Sequence, residues 1–480
     1  MDRYPSSTMT PPTWTSSMAT TTRSRSSMLK NVLLLAGMWG MGLGAAFVQL
    51  PATQNLLIDA GYASVSTAPL GIIMLGSAPC AVVIPTIISR YGEKKTFIAG
   101  AFFGIVGAIM QMIGPLTATV GLAAANDVTP QVVLVVIGAL PQAFMYASTN
   151  YLRFSVSQFS TPDFLPKATA LVLLGGVFSA LLGPLLSAVT RSMIAGALYA
   201  GNFLQIALMD VVFATLAFFA DFKQPVIDSI DVRIDSDDLS LVERQERTAV
   251  GESEMINNAT TERALVQIIK ETDLLLLTTF QCLSYNIMAM YMGQFKLPMT
   301  AAGYSVDSYT YALTAHMLGM FLPGLFSGQV INRFGTWFTT AVGFLLFPVG
   351  GAMFLINDSI TMFVMGITIV GIGWNFSFVG PSAEVGKIYS PAEQSKVIGF
   401  NDGIMLLTVG TFFTTASKIY IAIGSWNVFN YILMGCSVFS AFLSLVRGLC
   451  KWRASDGDDN SLSGNSLAQS LLTAGSICTL

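Results

Sequence analysis

Pro85-Thr86-Ile87-Ile88-Ser89-Arg90-Tyr91-Gly92-Glu93-Lys94-Lys95 and Gly328-Gln329-Val330-Ile331-Asn332-Arg333-Phe334-Gly335 are one short turn written twice, once in each half of a 480-residue chain. Each copy sets a polar residue, an arginine, an aromatic ring and a glycine in the same order, between two long apolar runs. Charges and free backbone groups are costly in hydrocarbon, so a turn of this kind belongs at a membrane surface. Its repetition marks a duplicated membrane bundle.

Composition agrees. The chain is 53% hydrophobic and 11% charged, where a soluble protein carries about 25% charged residues. Apolar runs near 31–50, 66–88, 96–114, 131–151, 167–190 and 202–220 make a first set of six. Runs near 272–294, 308–331, 337–356, 360–382, 397–418 and 426–447 make a second. Each approaches the roughly 20 residues that a helix needs to cross the hydrocarbon. The fold class is therefore an all-α membrane protein with twelve transmembrane helices in two pseudo-symmetric six-helix bundles. Residues 1–29 read as a disordered cytosolic tail, 30–221 as the first bundle and 222–270 as an acidic cytosolic linker. Residues 271–450 read as the second bundle and 451–480 as a second tail.

Lysine and arginine set the orientation. With the amino terminus in the cytosol, Arg90, Lys94, Lys95, Arg153, Lys167, Arg333, Lys387, Lys396, Arg447 and Lys451 all fall inside. Only Arg191, Lys296 and Lys418 fall on the outer side. Both termini are then cytosolic, and the plasma membrane is the favoured location. A net charge of −3 offers nothing to nucleic acid. Five scattered cysteines without CxxC spacing read as packing residues or free thiols, not disulfides, and a single histidine argues against a metal centre.

The doubled turn and the 6+6 pattern resemble the major facilitator superfamily, whose loop between helices 2 and 3 is echoed between helices 8 and 9. The second copy here keeps Gly328, Arg333 and Gly335, with Asn332 in place of the family's acid. The first keeps Arg90, Gly92, Lys94 and Lys95 but has Ser89 where the acid stands. The resemblance implies a secondary transporter of a small organic solute, working as a monomer in the lipid bilayer without a cofactor, by rocking two bundles around a midplane site. Arg90 and Arg333, at helix ends, can cap carbonyls or pair with a carboxylate, and so gate the cavity rather than only anchor topology. Gly175, Gly176, Gly183 and Pro184 partly match a helix-5 motif of antiporters in the family; close helix packing explains the same residues.

Ionisable groups inside the spans are candidates for proton coupling: His316, Asp402, Asp210 and Glu384. Structural pairing explains them as well, with Arg333 or Lys396 the expected partners of Asp402 and Arg333 that of Glu384. Candidates for the cavity wall are Gln49, Gln142, Asn150, Gln281, Asn286, Trp374 and Asn375, carried by helices 1, 4, 7 and 10. A transport-inactive receptor of the same fold stays open. A membrane enzyme would need a nucleophile–base pair, and a channel a filter or rings of charge; neither shows.

Overall fold

The computed structural model describes residues 25–119, 128–160, 164–222, 262–390 and 392–460. The first tail up to residue 24, the acidic stretch of the linker, whose sequence predicts a short amphipathic helix around residues 239–248, and the tail from residue 461 lie outside them. The described residues are helical, with no strand. The first half runs α1 (Arg25–Asp59), α2 (Ala68–Tyr91), α3 (Glu93–Thr119), α4 (Thr129–Ile137), α5 (Ala139–Ser155), α6 (Leu165–Thr190) and α7 (Ala200–Phe219). A short α8 (Leu265–Glu271) leads into the second half. That half comprises α9 (Leu274–Gln294), α10 (Lys296–Ala301), α11 (Val306–Phe321), α12 (Gly324–Phe334), α13 (Thr336–Ile356), α14 (Ile360–Val385), α15 (Gln394–Ile423) and α16 (Trp426–Asn460).

Among the described residues, ten segments are long and apolar enough to cross a bilayer. The fifth and eighth expected spans fall outside that set. The fifth is the 26-residue α6, whose apolar part is Leu174–Thr190. The eighth is divided into α11 and α12, of 16 and 11 residues. The break has a local cause. Pro323 offers no N–H and disfavours continuation of a regular helix through it. The Met320 carbonyl accepts instead from Nδ2 of Asn375 on α14, at 2.7 Å. The fourth expected span is α4 and α5, joined at Gly138, which lies against Gly107 and Gln111 of α3 so closely that a Cβ would stand 2.7 Å from the Gly107 carbonyl oxygen. Helix α1 outruns its expected end at residue 50 and carries Pro51 inside it. Large apolar side chains such as Phe102, Phe178, Phe338 and Phe439 point outward, as contact with lipid requires.

The repeat is structural as well as sequential. Gly92 and Gly335 end α2 and α12 with φ/ψ of 85°/156° and 81°/158°. Only glycine enters that region without strain. Each glycine N–H donates to the carbonyl four residues back, Ile88 or Ile331, at 2.8 Å. In both copies the arginine lies over the ring of the next residue, Arg90 on Tyr91 at 5.8 Å and Arg333 on Phe334 at 5.7 Å. Helix pairings repeat too. In the first half α1 packs on α6, α2 on α5, and α3 on α5 and α7. In the second, α9 packs on α15, α11 on α14, and α13 on α14 and α16. The halves meet along two seams, α2 with α15 and α6 with α11, which exchange under the same correspondence.

Small residues make these seams close. Gly71 faces Thr414 and Gly410 faces Leu75 across α2 and α15. Gly175 and Gly183 bring α6 onto α1, and Gly176 lies under the Phe321 ring of α11, where a Cβ would stand 2.8 Å from Cε1. Pro184 is buried within α6. The helix-5 glycines are thus engaged in close packing. Of the cysteines, Cys80, Cys282 and Cys436 are free.

Candidate functional site

A cavity of about 20 Å³ lies where the two halves face each other. Helix α1 gives Ala46, Phe47 and Leu50 to its wall, α2 gives Leu70 and Met74, and α5 gives Tyr146. The second half gives Tyr285, Met288 and Met292 from α9, with Met317 and Met320 from α11. That space holds one water and no organic solute. None of the wall residues is charged. Its polar feature is the pair of phenols, Tyr146 and Tyr285, whose oxygens meet at 3.2 Å across the halves.

Tyr285 also belongs to an aromatic group. Its ring stands edge-on to Trp374 at 5.7 Å and to Phe378 at 5.9 Å. Trp374 and Phe378 stack at 4.9 Å, with 13° between their planes. Phe321 reaches Trp374 at 6.3 Å and Phe47 at 5.8 Å. The Trp374 indole N–H is buried with no acceptor, although a buried indole usually finds one. Flat rings, soft thioethers and two hydroxyls thus make up this region.

The halves are also joined beyond the cavity, at the end of the helices that carries Arg90 and Arg333. Arg153 at the end of α5 pairs with Asp402 on α15, whose side chain is 8% exposed. Asn401 extends the contact: its Nδ2 donates to Asp402, and its Oδ1 accepts from Thr278 at 2.8 Å and Gln281 at 3.0 Å. A charge pair this far from water is held by its hydrogen bonds as much as by Coulomb attraction.

The sequence-derived site residues therefore divide. Asp402 pairs with Arg153, not with Arg333 or Lys396: it lies two turns into α15, facing the end of α5. Lys396 pairs with Glu262 at 2.8 Å. Glu384 bonds Thr336 and Lys387, each at 2.8 Å, not Arg333. Arg90 and Arg333 are exposed and make no ion pair among the described residues. Lys95, Gly328 and Asn332 are also exposed, while Lys94 donates to the Phe218 carbonyl at 2.8 Å.

His316 is fully buried between α11 and α14, with Nδ1 2.7 Å from the Ile367 carbonyl oxygen and Nε2 unpartnered. Asp210 sits mid-way along α7, 1% exposed and against Gly104, with Oδ1 unpartnered and, among the described residues, no ion pair. None of the amide candidates is on the cavity wall. Gln142 donates to Gln111 at 2.7 Å, tying α5 to α3. Gln281 is engaged with Asn401, Asn286 with the Cys282 carbonyl, Asn150 with the Tyr146 carbonyl and Asn375 with the Met320 carbonyl. Gln49 is fully buried with both amide atoms unpartnered. Of the seven, only Trp374 belongs to the aromatic group beside the cavity. Sequence reasoning missed Tyr146, Tyr285 and the methionines, and used Arg153 only to fix topology.

Both ends of the linker are fastened. The Asp221 N–H donates to Asn31 at 3.0 Å. At the other end Arg263 grips Glu393 through Nε and Nη2, both at 2.8 Å, and donates to the Ile388 carbonyl. The Arg263 fork, with the Ser390 N–H, holds the Glu393 carboxyl well below the usual carboxylate range. Burial would raise the Asp273 carboxyl, but Arg447 and Lys451 hold it low. A carboxyl lowered in the folded state contributes stability wherever the unfolded group is ionised, above about 4.3 for Glu, and loses it as pH falls further. The melting temperature of the detergent-solubilised protein should therefore drop below about pH 4. Glu393→Gln should flatten part of that drop; an unchanged acid limb would contradict the assignment.

No family model matches the chain. Curated relatives do. The riboflavin transporter RfnT of Brucella anthropi is 26% identical over 367 residues, covering 76% of this chain and 82% of the relative. YddS of Bacillus subtilis, described only as an uncharacterised transporter of the major facilitator type, is 22% identical over 376 residues, covering 77% and 79%. Among solved structures, the nucleoside transporter NupG superposes with a TM-score of 0.55 at 13% identity, covering 87% of this chain and 99% of its own. Relatives and fold agree: the chain is an integral multi-pass membrane protein similar to transporters of the major facilitator type.

Proposed function

We propose that this protein carries a flat, uncharged heteroaromatic solute by alternating access between two six-helix halves, with α6 and the α11–α12 pair completing twelve spans. The observation that carries the reading is the meeting of the two halves, along both seams, around a cavity lined from both. The Arg90 and Arg333 turns and both termini face the cytosol, on the strength of the lysine and arginine distribution. The Arg153–Asp402 pair is the cytosolic gate, and the exposed Arg90 and Arg333 turns serve it as hinges.

The solute class rests on two supports. The wall of aromatic rings and methionines favours a planar, polarisable molecule. The Brucella relative is named for riboflavin, which is such a molecule. For proton coupling we put Asp210 first. It has no cation partner, whereas Asp402 is committed to Arg153 and His316 is packed between two helices of one half.

Uptake of labelled riboflavin into proteoliposomes is the test, run beside a nucleoside and an amino acid, with and without an inward proton gradient. Saturable riboflavin uptake that excess unlabelled riboflavin abolishes is the expected result. Stimulation by the gradient that is lost in Asp210→Asn would assign the coupling. Binding without flux would place the chain with transport-inactive receptors, and uptake of the amino acid alone would refute the solute class.

A further inference from the structure

Opposite the Arg153–Asp402 gate, the cavity has a second roof of different chemistry. Gln54 of α1 is fully buried and spans the two halves with both ends of its amide. Its Nε2 donates to the Gly293 carbonyl of α9 at 2.6 Å, and its Oε1 accepts from the Tyr309 hydroxyl of α11 at 2.8 Å. Gln54 lies one helical turn beyond Leu50, and Gly293 directly follows Met292, both cavity-wall residues. The latch therefore closes the cavity itself and not a remote loop.

The hydroxyls and the amide around it are buried and uncharged. The hydroxyls of Ser66 and Thr67, from the first half, meet Ser417 of α15 at 3.1 and 3.0 Å. Gln294 donates to the same hydroxyl at 3.4 Å. Tyr309 is fixed from behind by the Lys296 ammonium, 4.9 Å from its ring centroid. The nearest charged bridge between the halves, Arg191 with Asp307 at 3.2 Å, is partly in water and adds little. Breaking the Gln54 bonds in a closed roof strands an amide donor, two carbonyl acceptors and a hydroxyl away from water, so these bonds are costly to lose until water enters.

We propose that Gln54 is the positioning residue of the non-cytosolic gate: its two bonds hold the halves together above the cavity, and both must break for solute to pass on that side. The proposal rests on the alternating-access reading above. The two gates then differ in kind, a charge pair facing the cytosol and a neutral amide latch facing away.

Side-specific thiol labelling tests it. In the full-length protein with its five cysteines replaced by serine, Ala46→Cys puts one thiol on the cavity wall. A membrane-impermeant maleimide is then applied from each side. Adding Gln54→Leu should speed labelling from the non-cytosolic side by about tenfold and slow it from the cytosolic side, the factor expected for one buried hydrogen bond. Tyr309→Phe removes a single hydroxyl, keeps the ring, and should shift both rates in the same directions by less; it also serves if Gln54→Leu does not fold. Equal rates with and without these substitutions, in protein of unchanged melting temperature, would overturn the latch alone. A thiol at position 46 that reacts from neither side, with or without solute, would overturn the alternating-access reading and the latch with it.

Discussion

Arg153→Ala should abolish most transport, and Asp402→Asn added to it should bring much of that transport back. The single change leaves the Asp402 carboxylate buried at the seam between the halves, hydrogen-bonded to Asn401 but without its cation. Removing one partner of a buried pair costs about 3–5 kcal/mol. Arg153 is partly exposed, so the lower end applies, about 3 kcal/mol. At roughly 1.4 kcal/mol per tenfold, that is a shift of about a hundredfold away from the state in which α5 and α15 are joined by this pair. Initial uptake rates, with surface expression measured in parallel, would show the loss. The double variant has no orphaned charge, and a neutral pair at that seam is close to balanced. A double variant no better than the single one would mean that Arg153 does something other than close a gate.

The second large effect is expected at the aromatic group. Trp374→Ala removes the ring that stacks on Phe378 and touches both Tyr285 and Phe321. If this group is the solute platform, the loss should raise KM for the transported heterocycle by about tenfold or more, in the range of an aromatic binding anchor. Truncating a buried tryptophan also costs about 3–5 kcal/mol of stability. Trp374→Phe therefore serves as the control, since it keeps a ring and most of the packing. We expect KM in Trp374→Phe to return to within a few fold of the parent. Equal KM in all three proteins, with kcat falling in step with melting temperature, would reduce Trp374 to a packing residue.

Much of the architecture was legible because membrane proteins write their constraints into composition. Charge cannot stay in hydrocarbon, so Arg90 and Arg333 had to mark surface turns, and Gly92 and Gly335 share the conformation that their matching contexts implied. What failed to read through was which side of a helix meets which neighbour. Asp402 was recognised as a charge needing a partner, with Arg333 or Lys396 expected, and the packing of α5 near α15 supplies Arg153 instead. The amides were chosen because polar groups in spans often line cavities; Gln142 and Gln281 instead bond amides on neighbouring helices, and Asn375 satisfies a carbonyl left free beside Pro323. Met74, Met288, Met292, Met317 and Met320 each look like ordinary apolar positions. Their convergence is a property of the packed halves, and local periodicity carries no trace of it.

The uncharged wall of the central cavity has an electrical consequence. Each elementary charge carried through 100 mV of membrane potential is worth about 2.3 kcal/mol. A cavity wall without fixed charge adds nothing to the charge moved when the carrier turns round empty, so voltage acts on the return step only through a group off the wall, such as Asp210. Neutral cargo would leave the whole cycle electrically silent, and any current seen with the protein would then report a co-transported ion rather than the solute.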